Sequence, residues 1–275
     1  MTLRRLMLGR SLEQWRERAG LSRDEVAVEL GCTTGRVRHL ESGRNVATRP
    51  DLIVMAAMYG IPDDAREALL NTRSEAQKPG WWQTYRLPKR LAEYVTLESD
   101  ATRVRNWEGE LIPGLLQTDL YARRVATVGD PTASEADVSK RIAARLRRQE
   151  RLTAKDAPLQ LVAVMSEAAL QRCAAVPEIG RDQLVHLVLA TELANVSLHV
   201  LPFGVGIHPA MGGGFALLEF PPDTWPETGY QEYNLGGHLV DDPAAVASLG
   251  SLFDELAKQA LSEDDSIRLI SRYID

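Results

Sequence analysis

Residues 21–44 constrain this chain more than any other stretch. They read Leu-Ser-Arg-Asp-Glu-Val-Ala-Val-Glu-Leu-Gly-Cys-Thr-Thr-Gly-Arg-Val-Arg-His-Leu-Glu-Ser-Gly-Arg. Ser22 and Glu25 have the S-x-x-E spacing of a capping box, which satisfies orphan amides at a helix start. Leu21 before the cap and Val26 after it fit a hydrophobic staple. Val26, Ala27 and Leu30 share one helical face, and Gly31 stands where a left-handed C-terminal cap is wanted. Thr33 caps the next helix; Val37 and Leu40 repeat the inward spacing, and Gly43 closes it. The sequence predicts two short helices joined by a tight turn, with Thr34, Gly35, Arg36, Arg38 and His39 directed away from the core. That geometry places a second helix in a DNA major groove. A face of small, polar and cationic residues suits base edges and phosphates. The alternative is an ordinary helical hairpin with a solvated basic face. The coincidence of capping, spacing and charge over so short a stretch favours the nucleic-acid reading.

The net charge of −6 argues against nucleic acid until its distribution is considered. Residues 1–50 hold ten Arg and six acids, a net of +4, which leaves −10 on the remainder. A basic head on an acidic body fits a DNA reader fused to a domain with another task. The chain of 275 residues is long enough for two domains. No run of 18 apolar residues exists, so no membrane span is expected. The basic N-terminus lacks the uninterrupted apolar core of a secretory signal. Cys32 and Cys173 have no metal-ligand spacing, and two unpaired thiols point to a cytoplasmic protein. No cofactor and no metal are expected.

Residues 3–19, 50–59 and 63–76 read as further helices, with Pro50 suited to a first turn and Gly60 to a stop. Lys78-Pro79-Gly80 is the best boundary, giving a helix-turn-helix domain over 1–77 and a regulatory or interaction domain over 81–275. Beyond it, residues 89–108, 115–128, 135–152, 180–193, 243–260 and 263–273 read as helices. Residues 159–165, 196–202, 214–220 and 230–235 read as strands, and Ser166 caps a helix running to Cys173. The expected fold is an all-α, five-helix N-terminal domain followed by a larger mixed α/β (α+β) domain.

Two resemblances follow from these residues. Leu12, Arg16, Ala19, Gly20, Leu21, Ser22, Ala27, Leu30, Gly31, Val37, Leu40, Glu41, Gly43 and Tyr59-Gly60 resemble the phage-repressor, or xenobiotic-response-element, helix-turn-helix regulators. The resemblance implies that Ser22 and Arg23 touch the DNA backbone. It implies that Thr34, Gly35, Arg36 and His39 face the bases, that Arg38 and Arg44 add phosphate contacts, and that Thr33 belongs to the DNA-binding set. Arg23 stands where the family often has Gln. Gly35 stands where a long amide can read adenine, so readout by this helix is either weak or rests on Arg36 and His39. Further on, Trp81-Trp82, Leu97-Glu98, Ile112-Pro113-Gly114-Leu115-Leu116-Gln117-Thr118, Tyr121-Ala122, Arg145-x-x-Arg148-Gln149, Ser166-Glu167 and Val200-Leu201-Pro202 are similar to an uncharacterised domain. That domain is attached to many actinobacterial regulators with antitoxin-like roles. This resemblance implies regulation and a small protein partner, without naming a ligand.

Past the boundary, Trp81, Trp82, Tyr85 and Trp107 either line a ligand or partner site or pack the domain–domain joint, with packing favoured. Arg145, Arg148 and Gln149 share a helical face. They either bind an anionic ligand or pair with Glu98 or Glu167, with pairing favoured. Glu167 and His208 complete the candidate set. His199, His208 and His238, beside Glu167, Glu219 and Asp241, are the only constellation that invites a catalytic reading, and no nucleophile, zinc or phosphate-loop motif supports it. No catalytic residue is expected. The whole reads as a DNA-binding regulator, a homodimer on an inverted repeat of double-stranded DNA. An antitoxin-like protein that neutralises a small partner is the competing reading, and a small-molecule effector stays open.

Overall fold

The computed structural model describes residues 2–85, 87–222, 224–233 and 236–274. The chain divides into two units, Met1–Gln83 and Thr84–Asp275, described separately below.

The first unit contains five helices: α1 (Leu3–Arg18), α2 (Arg23–Glu29), α3 (Thr34–Glu41), α4 (Arg49–Met58) and α5 (Asp63–Ala76). Local chemistry sets four of the starts. Thr2, Ser22, Thr33 and Thr48 each accept a backbone N–H, and Ser22–Glu25 and Thr48–Asp51 form complete capping boxes. Leu12, Val26, Val37, Leu40, Leu52 and Met55 form the centre of the core. Two glycines are demanded by geometry. Gly43 has φ +67°, and a Cβ there would meet the Arg5 carbonyl oxygen at 2.6 Å; a Cβ on Gly9 would meet the Glu41 oxygen at 2.3 Å. The end of α3 therefore packs on the backbone of α1, at a spacing only glycine permits.

The second unit is built on one six-stranded sheet of order β3-β2-β1-β4-β5-β6. The strands are β1 (Arg103–Glu108), β2 (Gln160–Ser166), β3 (Val196–Leu201), β4 (Phe215–Glu219), β5 (Thr228–Tyr233) and β6 (Gly236–Val240). β1, β2 and β3 pair in parallel, whereas β4, β5 and β6 continue antiparallel. The helices are α6 (Lys89–Glu98), α7 (Asp119–Gly129), α8 (Glu135–Gln149), α9 (Glu167–Ala174), α10 (Pro177–Ala190), α11 (Pro243–Gln259) and α12 (Glu263–Arg272). On one sheet face Trp107, Val164, Phe215 and Leu217 pack with Val246, Leu249, Phe253 and Leu256 of α11. Alternation along β1 sends Val104, Asn106 and Glu108 to the other face.

The fold class is as the sequence indicates, an α-helical head and a mixed α+β body, but four elements differ. The helix expected over 89–108 stops at Glu98, and residues 103–108 are instead the central strand β1. Pairing on both sides, to β2 and β4, overrides the local helical spacing. The helix expected over 115–128 is delayed to Asp119, because residues 114–116 form a 3-10 turn and Thr118 provides the cap. Helix α10 begins at Pro177 rather than 180. Strand β6 was not expected; it pairs with β5, and residues 234 and 235, part of the expected fourth strand, lie outside the described residues. No helix among the described residues is long and apolar enough to cross a membrane.

Candidate functional site

The predicted two-helix unit is present with its caps in place. The Ser22 hydroxyl accepts from the Glu25 amide at 3.2 Å, and the Glu25 carboxylate accepts from the Ser22 amide at 2.7 Å. Gly31 turns the chain at φ +59°, and the Thr33 hydroxyl accepts from the Arg36 amide at 3.3 Å. Val37, Leu40 and Glu41 are the buried positions of α3, while Gly35 and Arg38 are exposed.

Glu41 holds the three helices in register. Its side chain is only 2% exposed and sits between two cations. Arg16 of α1 donates from Nε to Oε1 at 2.6 Å, and Arg23 of α2 donates from Nε to Oε2 at 2.6 Å. Arg16 also donates to the Leu21 carbonyl at 2.8 Å, and Arg23 to Glu13 at 2.5 Å. The hydrogen bond to Glu41 holds the Arg16 guanidinium above its ordinary value. A buried charge needs such partners because desolvation costs several kcal/mol per ion.

The outward residues divide into committed and uncommitted groups. Arg23 is half-exposed but engaged by two carboxylates, so the structure gives it a bracing role beside any anion contact. Arg36 donates to Asp51 at 2.6 Å, within the capping box of α4. A guanidinium has five N–H donors, which leaves others for a base. The Thr34 hydroxyl is hydrogen-bonded to Asp24 of α2. His39 and Arg44 face each other at 3.1 Å. Arg38 is exposed, with no ion pair among the described residues. Beside α3 lies an open cleft of about 450 Å3 lined by Arg5, Arg36, Arg44 and Asn45. Arg5 and Asn45 were not singled out in the sequence. Arg5 is 31 residues before Arg36, on a helix that the two-helix spacing does not include.

The remaining candidate residues are mostly structural. Trp107, expected on a helix and offered as a ligand residue, is buried in β1, where its indole N–H donates to the Ala210 carbonyl at 3.1 Å. Trp82 is buried, on a 3-10 turn with Trp81 edge-on at 5.8 Å; Tyr85, at the end of that turn, is half-buried. Arg148 makes a bidentate, buried pair with Glu98, Nε to Oε1 at 2.6 Å and Nη2 to Oε2 at 2.7 Å, and stacks over Tyr94. Gln149 donates to the carbonyls of Gly114 at 3.2 Å and Gln117 at 2.7 Å. From α10, Gln183 donates to the Leu116 carbonyl and accepts from the Thr118 amide, both at 2.7 Å. The Ile112–Thr118 motif is thus a strap, held by side chains of α8 and α10. Arg145 also reaches it, through the Gln117 amide oxygen, yet has no carboxylate within ion-pair distance among the described residues. Glu167 clips the chain, accepting from the Phe203 amide at 2.8 Å and the Tyr273 hydroxyl at 2.9 Å. His208 lies edge-on to Trp107 at 5.2 Å, its pKa lowered by burial.

The three histidines do not converge. His199 is on edge strand β3, His238 is on the opposite edge strand β6, and His208 is in a loop. No group of His, Cys, Asp and Glu suited to a metal occurs among the described residues.

The class of protein follows from this geometry and from comparison with sequence families. Residues 7–69 match a helix-turn-helix domain, so the first unit is that of a helix-turn-helix DNA-binding regulator. Residues 91–272 match the family described as a domain of unknown function, DUF5753. That match spans more than half of the chain, and the protein belongs to this family. No curated protein and no solved structure matches the chain.

Glu41→Gln is expected to destabilise the protein by about 3–5 kcal/mol, since it leaves two guanidiniums around a neutral amide. Urea denaturation followed by circular dichroism checks this; an unchanged midpoint would remove Glu41 from its central place. A second expectation concerns pH. Burial, with the charge of Glu232 added, pushes the Glu108 carboxyl up to about 8. Between the ordinary carboxylate range and pH 8, the folded state keeps a proton that the unfolded state has lost, so stability falls as pH rises through this window. Glu108→Gln should flatten the decline in denaturation midpoint between pH 5 and pH 8. Parallel profiles for the two proteins would show that Glu108 is not the source.

Proposed function

We propose that the protein is a sequence-specific transcriptional regulator of the phage-repressor type, acting in the cytoplasm as a homodimer on an inverted repeat. The observation that carries this reading is the outer face of α3, where Gly35 and Arg38 are exposed beside half-buried Thr34, Arg36 and His39. Ser22, Arg38 and Arg44 contact phosphates, with Thr33 at the start of the recognition helix. Arg23 adds to the positive field while bracing Glu41. Thr34, Arg36 and His39 read bases. One short recognition helix makes few base contacts, and a dimer supplies the rest through half-sites about 34 Å apart or a multiple of that. The C-terminal unit is not catalytic in this reading; it receives a signal.

A second use of that unit has a specific observation behind it. Phe203, Ile207 and Met211 are exposed on the loop that follows β3, with Ile207 at 92%. Clustered exposed apolar side chains favour a protein surface, in keeping with an antitoxin-like protein that holds a small partner.

Genome-wide chromatin capture of the tagged protein tests the main reading, with Arg36→Ala as control. A few sharp sites sharing an inverted repeat and lost in the variant support it; a map without such sites overturns it. On an isolated site, Arg38→Ala should weaken all sequences alike and reduce the slope of log affinity against log salt by about 0.9 per half-site. Arg36→Ala should cost about 1–3 kcal/mol and relax one base position. Fluorescence anisotropy over a salt series separates the two roles, and exchanged behaviour of the variants would reverse the assignment.

A further inference from the structure

The second unit encloses a cavity of about 170 Å3 on the sheet face opposite α11. Asn106, Glu108, Ala216 and Tyr230 form its floor on β1, β4 and β5. Tyr94 of α6, Arg145 of α8 and the strap close it from the other side. Its charges set it apart from a packing void. Arg145 donates to the Gln117 amide oxygen and meets no carboxylate at ion-pair distance among the described residues. Burial and the neighbouring Arg148 lower its pKa to about 10, against the smaller opposing pull of Glu232, Glu108 and Glu98. Arg148 cannot serve the same need, because Glu98 already occupies it. Two acids also line the space, half-buried Glu108 and solvent-exposed Glu232, and neither has an ion-pair partner among the described residues. They lie close enough for the charge of Glu232 to disfavour ionisation of Glu108. Charges withdrawn from water are ordinarily paired. Here Arg145, the Glu232 carboxylate and a Glu108 carboxyl that holds its proton up to about pH 8 line one space, with no ion pair between them among the described residues.

A ligand that satisfies all three carries both signs. A simple carboxylic acid would answer Arg145 and be repelled by the Glu232 carboxylate. A simple amine would leave Arg145 as it is. The rest of the lining, including Leu91, Val104 and Leu115, is apolar. The volume suits roughly six to nine heavy atoms, given that a void of about 150 Å3 holds benzene. We propose that this cavity binds a free α-amino acid with an apolar side chain, its carboxylate on Arg145 and its ammonium between Glu108 and Glu232. This deepens the reading of the C-terminal unit as the signal-receiving half, and it rests on that reading only for any effect on DNA.

The test uses the purified full-length protein without DNA. L-valine, L-leucine and L-methionine are titrated by calorimetry and by thermal shift. L-leucinamide and 4-methylpentanoate are run alongside. At least one amino acid should bind at one per chain and raise the melting temperature. The analogues, each lacking one charge, should bind at least ten-fold more weakly. Arg145→Gln should lose at least ten-fold in affinity. Ala216→Leu fills the chamber without altering its charges and should abolish binding, which keeps the test decisive if Arg145→Gln fails to fold. No heat and no shift at 10 mM amino acid would overturn the proposal. So would an analogue that binds as well as its parent, or undiminished binding by Ala216→Leu. Because DNA is absent, a failed titration bears on the cavity alone, and a failed chromatin map bears on DNA reading alone.

Discussion

The helix-turn-helix depends on one buried carboxylate. Glu41 is the last residue of α3, and its two oxygens are taken by Arg16 of α1 and Arg23 of α2. Apolar packing of Val26, Val37 and Leu40 pulls the helices together, but such packing is non-directional. The ion triad supplies direction, because each guanidinium nitrogen meets a particular oxygen. It also constrains the backbone, since the same turn of α3 presses on Gly9 and leaves through Gly43. The outer face of α3 has its orientation because its inner face is fixed at these points.

The second unit uses a comparable device on a larger scale. The Arg148–Glu98 pair ties α8 to α6. Gln149 and Gln183 grip the carbonyls of the strap between β1 and α7. The strap has 3-10 geometry over three residues only and needs side chains to satisfy its backbone. Having been fixed from two helices, it closes the chamber over Glu108 and Arg145.

Much of the head was legible in the sequence because its signals are local. Caps, a left-handed glycine and apolar spacing lie within 24 consecutive residues of one another. The interaction that joins the helices was not: Glu41 counted only as one residue of a resemblance, and nothing in its neighbourhood announces that it is buried between arginines. The body was harder for a related reason. Strand β1 looks helical in isolation, and its identity comes from partners at 160–165 and 215–219. Arg145 and Arg148 share a helical face, yet one finds Glu98 and the other does not; three residues of spacing cannot decide that. Glu108 and Glu232 escaped notice because no motif contains them, and only the sheet brings them together.

The tether between Arg36 and Asp51 has a consequence for selectivity. In the proposed complex with DNA, the Arg36 guanidinium would meet a base edge while a carboxylate 2.6 Å away already claims one of its donors. Asp51 is itself fixed, since it closes the Thr48 cap of α4. The protein thus carries its own rival for the reading side chain. Under that proposal, a base presenting two acceptors would compete with Asp51 better than one presenting a single acceptor. Such a built-in competitor trades affinity for a sharper contrast between right and wrong sites.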